Sequence, residues 1–131
     1  MSGEAILIVD DNPINLKLAR VLLSGEGYAV QTASDAEEAL HLLETFSPRL
    51  ILMDLQLPGM DGLELTRRLK QDPVRRDIAI VALTAYAMKG DEERILAAGC
   101  DGYIPKPIDT RALPSFIKSY LTNGANRVSS L

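Results

Sequence analysis

Three carboxylates in this 131-residue chain follow directly on apolar runs. Ile6-Leu7-Ile8-Val9 leads into Asp10-Asp11, and Leu50-Ile51-Leu52-Met53 leads into Asp54. Two more polar groups stand at comparable places: Thr84 closes the run Ile78–Leu83, and Lys106 follows Gly102–Ile104 and Pro105. Gathering three carboxylates costs free energy, because two unit charges roughly 4 Å apart repel by about 4 kcal/mol at an effective dielectric near 20. A resident cation offsets that repulsion. Oxygen ligands without His or Cys select a hard ion, and a site that keeps several waters favours Mg²⁺ over Ca²⁺. The matching chemistry is phosphoryl transfer, in which charge spread over three equatorial oxygens is positioned and neutralised. Mg²⁺ takes one oxygen, the Lys106 ammonium a second and the Thr84 hydroxyl a third. Asp54 is then the nucleophile that accepts the group. Asp10 and Asp11 are the metal's carboxylates, with Asp11 a direct ligand and Asp10 acting directly or through water. For any one of these acids the plainer role is a helix cap. Three at strand ends, joined by Thr84 and Lys106, favour a functional site.

These residues need a scaffold that brings strand ends together. The runs Ala5–Val9, Leu50–Met53 and Ile78–Leu83 are continuous rather than alternating, as in strands covered on both faces of a parallel sheet. Gly102–Ile104 is a shorter strand, and Tyr28–Thr32 a weaker one. Stretches with helical spacing separate them. Asn12-Pro13 reads as an N-cap with proline at the first helical position. Ile14, Leu18, Val21 and Leu22 are expected on the buried face of that helix, which Gly25 and Gly27 end. Ala36, Ala39, Leu40 and Leu43 mark a second helix behind Ser34 and Asp35. Leu65 and Leu69 mark a third, closed by Asp72-Pro73. The charged stretch Gly90–Arg94 belongs to a fourth, and Leu113, Phe116, Ile117, Tyr120 and Leu121 form the stripe of the last. Five alternations of strand and helix predict an α/β fold: a five-stranded parallel sheet, order 2-1-3-4-5, with helices on both faces, flavodoxin-like. Pro105 and Pro107 support an edge position for the fifth strand. In that order the first and third strands are neighbours, so Asp10, Asp11 and Asp54 converge beyond the sheet's carboxyl edge.

Composition narrows the remaining options. The chain is 47% hydrophobic and 24% charged, as expected of one globular domain. Fourteen Lys and Arg against eighteen Asp and Glu leave a net charge of −4, which lacks the basic excess that nucleic-acid binding requires. No apolar run approaches the roughly 20 residues of a membrane span, and no signal peptide is expected from the N-terminal residues. The single cysteine, Cys100, forms no internal disulfide, and a cytoplasmic location is expected. Residues 1–121 form the domain. Thr122–Leu131 is polar without an apolar period and is expected to be a flexible tail.

The motifs Val9-Asp10-Asp11-Asn12, Leu52–Gly62 around Asp54, Leu83-Thr84-Ala85 and Tyr103-Ile104-Pro105-Lys106-Pro107 resemble those of two-component response-regulator receiver domains, the CheY-like family. The likeness extends over about residues 4–121. The stretch Thr84–Pro107 is also similar to single-domain DivK-type regulators, and receivers of hybrid kinases share much of it. The resemblance implies a CheY-like fold and a phosphorylatable switch that receives its phosphoryl group from a sensor histidine kinase or a histidine phosphotransfer domain. It implies that the domain catalyses only its own phosphorylation and dephosphorylation at Asp54, and that it acts on a downstream protein target. It implies that the Gln56 backbone carbonyl joins the Mg²⁺ shell and that the Lys106–Pro107 bond is cis. Thr84 and Tyr103 match the pair that couples phosphorylation to a surface change, Thr84 moving to the phosphoryl oxygen and the Tyr103 ring turning inward.

The resemblance also frames the remaining residues. Ala85 is small and leaves the site open to a donor, whereas Tyr86 is expected to screen attacking water. The lightly anchored fourth helix is a natural element to move, since low burial makes local rearrangement cheap. His41 is expected at the surface, and Cys100 to be structural. Pro114 removes a backbone donor near the start of the last helix and suggests a late or distorted start. A phosphatase of the haloacid-dehalogenase type also uses an aspartate nucleophile and Mg²⁺, but it expects a second acid two residues on, where Gln56 stands. A receiver-like module that only binds partners lacks part of the acidic set or the lysine, and this chain has them all. The start and short tail favour a stand-alone regulator over a receiver cut from a hybrid kinase.

Overall fold

The computed structural model describes residues 3–57, 62–85 and 89–129, with side chains excepted at 89–91 and 123–129. Ten elements alternate along the chain: β1 (Ala5–Val9), α1 (Pro13–Gly25), β2 (Ala29–Ala33), α2 (Ala36–Leu42), β3 (Leu50–Asp54), α3 (Gly62–Gln71), β4 (Ala79–Thr84), α4 (Lys89–Ala97), β5 (Gly102–Pro105) and α5 (Leu113–Ser129). All strand pairs are parallel, in the order β2-β1-β3-β4-β5, as the alternation of elements predicts. β5 occupies an edge. β2, β3, β4 and β5 depart from the sequence expectation by one residue at one or both ends, where strand ends fray.

The central strands are buried on both faces, which explains their unbroken apolar runs. Leu7, Val9, Ile51, Met53, Ile80 and Ala82 face one side, where α2, α3 and α4 contribute Ala39, Leu65, Leu69 and Ile95, joined by Ala98 just after α4. Ile6, Ile8, Leu50, Leu52, Val81 and Leu83 face the other, against Ala19 and Leu23 of α1 and Leu113, Ile117 and Leu121 of α5. Burying a side chain of this size contributes about 1.5–3 kcal/mol. The two cores therefore hold the sheet between helices, and buried polar groups are confined to its ends and the helix behind them.

Two helices differ from their sequence reading. In α1 the buried residues are Ala19 and Leu23; of the expected face Leu22 is half-buried against the core, while Ile14 is 75% and Val21 59% exposed and Leu18 is exposed too. This helix carries two apolar stripes, and periodicity does not distinguish the one that meets the sheet. In α5 the helical backbone continues to Ser129, through the segment read as a tail. Extending an anchored helix fixes one residue per added hydrogen bond, without a new nucleus, and no proline interrupts residues 122–129. α5 starts at Leu113, with Pro114 inside the first turn, where a missing N–H costs nothing. Its N-terminal turn is fastened by the Leu113 N–H donating to the Asp109 carbonyl at 3.0 Å.

Candidate phosphoacceptor and metal site

The sheet register assembles the site. Val9 lies opposite Met53, so Asp10 and Asp54 emerge side by side from β1 and β3. Asp54 in turn pairs with Leu83, and Thr84 with Pro105, which places Thr84 and Lys106 on the same edge. Backbone bonds prolong these strand ends: Asp10 N–H donates to the Ala33 carbonyl at 3.1 Å, Leu55 N–H to Leu83 at 3.2 Å and Lys106 N–H to Thr84 at 2.8 Å.

The cap of α1 is Asn12, not either aspartate. Its Oδ1 accepts from the Ile14 N–H at 2.9 Å and the Asn15 N–H at 3.3 Å, with Pro13 opening the helix. Asp10 and Asp11 are thereby left for the site. Asp10 Oδ1 accepts from the Asn12 N–H at 2.9 Å, and Asp54 Oδ1 accepts from the Gln56 N–H at 2.9 Å. Lys106 Nζ lies 3.0 Å from the same Asp54 oxygen. One oxygen each of Asp10, Asp11 and Asp54 fall within 4.8 Å of one another. Asp10, Asp54 and Thr84 are buried, while Asp11 and the Gln56 side chain reach solvent. Tyr103 is half-buried on β5, packed against the core beside α3 and α4. The peptide bond between Lys106 and Pro107 is cis.

The electrostatics of this cluster are unbalanced. Asp10 Oδ2 and Asp54 Oδ2 are buried and find no hydrogen-bond partner among the described residues. An unpaired buried polar atom costs about 1–3 kcal/mol, more when charged. Burial pushes the Asp10 carboxyl above the ordinary aspartate range, and the neighbouring Asp54 charge pushes it further. The Asn12 N–H and the Lys106 ammonium oppose the rise. Among the described residues one ammonium faces three carboxylates. Two orphaned oxygens beside an exposed third acid, with no nitrogen or sulfur ligand among those residues, fit a hard divalent cation such as Mg²⁺.

Other residues singled out in the sequence lie elsewhere. His41 is exposed on α2, its Nδ1 3.2 Å from Glu44 Oε2. Cys100 is buried, its Sγ 3.8 Å from Thr66 Oγ1, and burial raises its thiol pKa. Tyr86, Met88, Gly90 and Asp91 fall outside the described residues or side chains, as do Pro58, Gly59, Met60 and Asp61 of the motif around Asp54. Gly62, the last residue of the motif around Asp54, opens α3 against the Asp54 backbone, and Thr66, which no sequence motif marks, donates its hydroxyl to the Gly62 carbonyl. No helix among the described residues is long and apolar enough to cross a membrane.

Comparison with known proteins agrees with this geometry. Residues 6–118 match the response regulator receiver domain family. The chain is 48% identical over 118 residues to the polar-differentiation response regulator DivK of Brucella anthropi, covering 90% of this chain and 96% of that protein. A CheY-like receiver domain protein from Methanospirillum hungatei superposes with a TM-score of 0.87 at 35% identity, over 96% of this chain and 99% of that one. The receiver domain of a sensor histidine kinase from Pseudomonas aeruginosa gives 0.83 at 35% identity, over 92% and 99%; its structure has a magnesium ion coordinated in the active-site cleft. Fold, strand-end acids and relatives converge: the chain belongs to the response-regulator receiver domain family.

Proposed function

We propose that Asp54 accepts a phosphoryl group from a phosphohistidine and that this event switches a partner-binding surface. The observation that carries the reading is the buried Asp54 carboxylate, held on one oxygen by Lys106 and the Gln56 N–H and without a partner among the described residues on the other. In the transfer, Asp54 forms a bond to phosphorus as the bond from phosphorus to the donor histidine nitrogen breaks. The electron pair stays on that nitrogen, and the product is an acyl phosphate. Water later cleaves it and restores the carboxylate. Lys106 neutralises one phosphoryl oxygen and the Thr84 hydroxyl donates to another. Asp10, Asp11, Asp54 and the Gln56 carbonyl would hold Mg²⁺, which supplies neutralising charge for the acids and the phosphoryl oxygens. Beyond turning over its own phosphoryl group, the domain is not an enzyme.

The donor is a sensor histidine kinase or histidine phosphotransfer domain, and the reading places the exchange in the cytoplasm. Exposed Ile14, Leu18 and Val21 form an apolar strip on α1 that starts next to the Asn12 cap, close to Asp11, and suit the donor's docking. A phosphoryl group adds about −1.5 to −2 charge and three acceptor oxygens. Thr84 moving toward it and the half-buried Tyr103 ring turning inward bias a two-state surface toward an effector protein. Intact-mass measurement with a small acyl-phosphate donor and Mg²⁺ tests the reading. The protein is expected to gain one phosphoryl group, and the gain is expected to vanish in Asp54→Asn and in the presence of a chelator. An unmodified wild-type protein would refute it.

A further inference from the structure

Behind the acceptor, the first turn of α3 rests directly on main chain. Gly62 is buried at the start of that helix, and its backbone needs no left-handed conformation. Space is what requires the glycine. A Cβ there would press into the Asp54 carbonyl oxygen and lie 3.0 Å from Leu55 Cα and 3.1 Å from Met53 Cγ. Two of those three atoms are backbone and do not rotate aside. One turn later, the fully buried Thr66 donates its hydroxyl to the Gly62 carbonyl at 2.8 Å, and Cys100 Sγ lies 3.8 Å behind that hydroxyl. The Gly62 peptide is thus braced from inside the core. The ribbon it meets at Asp54 and Leu55 runs directly into Gln56, whose N–H fixes Asp54 Oδ1. Other tight glycines differ: Gly102 meets the Tyr120 ring, and Gly99 meets the flexible stem of Lys70.

We propose that Gly62 and Thr66 are positioning residues for the reaction at Asp54: the braced first turn of α3 is a backstop that sets the Asp54–Gln56 backbone and so the aim of the acceptor carboxylate and its Mg²⁺ site. The proposal rests on the reading of Asp54 as the phosphoacceptor. A side chain at residue 62 displaces the Asp54–Leu55 backbone. Loss of the Thr66 hydroxyl removes the side-chain brace on the Gly62 carbonyl.

Calorimetric Mg²⁺ titration and phosphorylation kinetics with a small acyl-phosphate donor test this on four variants. Gly62→Ala is expected to weaken Mg²⁺ binding about tenfold and to lower kcat by a similar factor with KM for the donor little changed, the range seen when groups behind a metal ligand are altered. Gly102→Ala is expected to lower Tm through Tyr120 while Mg²⁺ affinity stays within about twofold. Thr66→Val is expected to weaken Mg²⁺ binding about threefold, and Thr66→Ser, which keeps the donor, to restore it. Gly62→Ala with wild-type affinity, or Gly102→Ala shifting affinity equally, overturns the proposal. If Gly62→Ala does not fold, the Thr66 pair decides, and equal affinities for Val and Ser overturn it. A wild-type protein that binds no Mg²⁺ and takes up no phosphoryl group defeats the acceptor reading itself, whereas normal phosphorylation in every variant defeats only the backstop.

Discussion

Two lysine–aspartate pairs, each at 3.0 Å and each largely buried, sit at opposite ends of the same sheet. At the amino-terminal ends of β4 and β5, Lys70 Nζ bonds Asp101 Oδ2 and also the carbonyls of Ile78 at 2.8 Å and Arg76 at 3.2 Å. The same Asp101 oxygen accepts from the Ile80 N–H at 2.8 Å. That network is closed and ties the turn after α3 to the entry of β5. At the carboxyl ends, Lys106 meets Asp54, yet Asp54 Oδ2 and Asp10 Oδ2 keep no partner among the described residues. One pair completes a structure, and the other is left electrostatically incomplete. Identical residue types at an identical distance therefore serve different ends, and the difference lies in how many of the surrounding polar atoms are satisfied.

Substitutions at matched positions sharpen the contrast. The largest effect is expected for Lys106→Met, which should slow phosphorylation by a small acyl-phosphate donor about 10²-fold or more, the usual cost of losing one group that stabilises developing charge. Stopped or quenched-flow uptake measures it. Any stability it loses is expected to return with added Mg²⁺. Lys70→Met should behave in reverse. Breaking the closed network is expected to cost about 2–4 kcal/mol, with Tm falling by about 10 °C and no recovery in Mg²⁺, while folded protein phosphorylates normally.

Asp10→Asn and Asp101→Asn should differ in sign. Removing the Asp10 charge relieves repulsion and is expected to stabilise the metal-free fold by about 1–3 kcal/mol while Mg²⁺ binding is lost. Asp101→Asn deprives Lys70 of its counter-charge and should destabilise by a similar amount. Denaturant melts of the metal-free proteins read both, and a common sign would end the contrast. The smallest effect concerns pH. The folded Asp10 carboxyl holds its proton to higher pH than the unfolded one, so the native state binds more protons between the ordinary and the raised value. Metal-free stability should therefore fall as pH rises through that window. Asp10→Asn should flatten this slope, and saturating Mg²⁺ should reverse it.

Much of this was legible in the sequence because the sheet is buried on both faces. Continuous apolar runs ending in Asp10, Asp54 and Thr84 marked both the strands and their carboxyl edge, and the strand order then placed the acids together. Asn12-Pro13 declared the start of α1 by its capping chemistry. What was not legible depended on choices that local pattern leaves open. α1 has one stripe through Ile14, Leu18 and Val21 and another through Ala19 and Leu23, and only packing against β1 and α5 shows that the smaller stripe faces inward. The Lys70–Asp101 pair spans 31 residues of chain, beyond the reach of any spacing rule. Gly62 closes the motif around Asp54, but its contact with the β3 backbone and the Thr66 hydroxyl on its carbonyl are set by tertiary packing rather than by local pattern. The continuation of α5 past Leu121 depends on an existing helix rather than on an apolar stripe.

The central claim is that, among the acids gathered at the sheet edge, Asp54 alone takes the phosphoryl group. Borohydride reduction of the freshly phosphorylated protein, followed by peptide mass mapping, tests it directly, because hydride converts an acyl phosphate to the corresponding alcohol. The account predicts homoserine at residue 54, with Asp10 and Asp11 unchanged. Homoserine at residue 10 or 11, or an acid-stable phosphate on a hydroxyl residue, would contradict it.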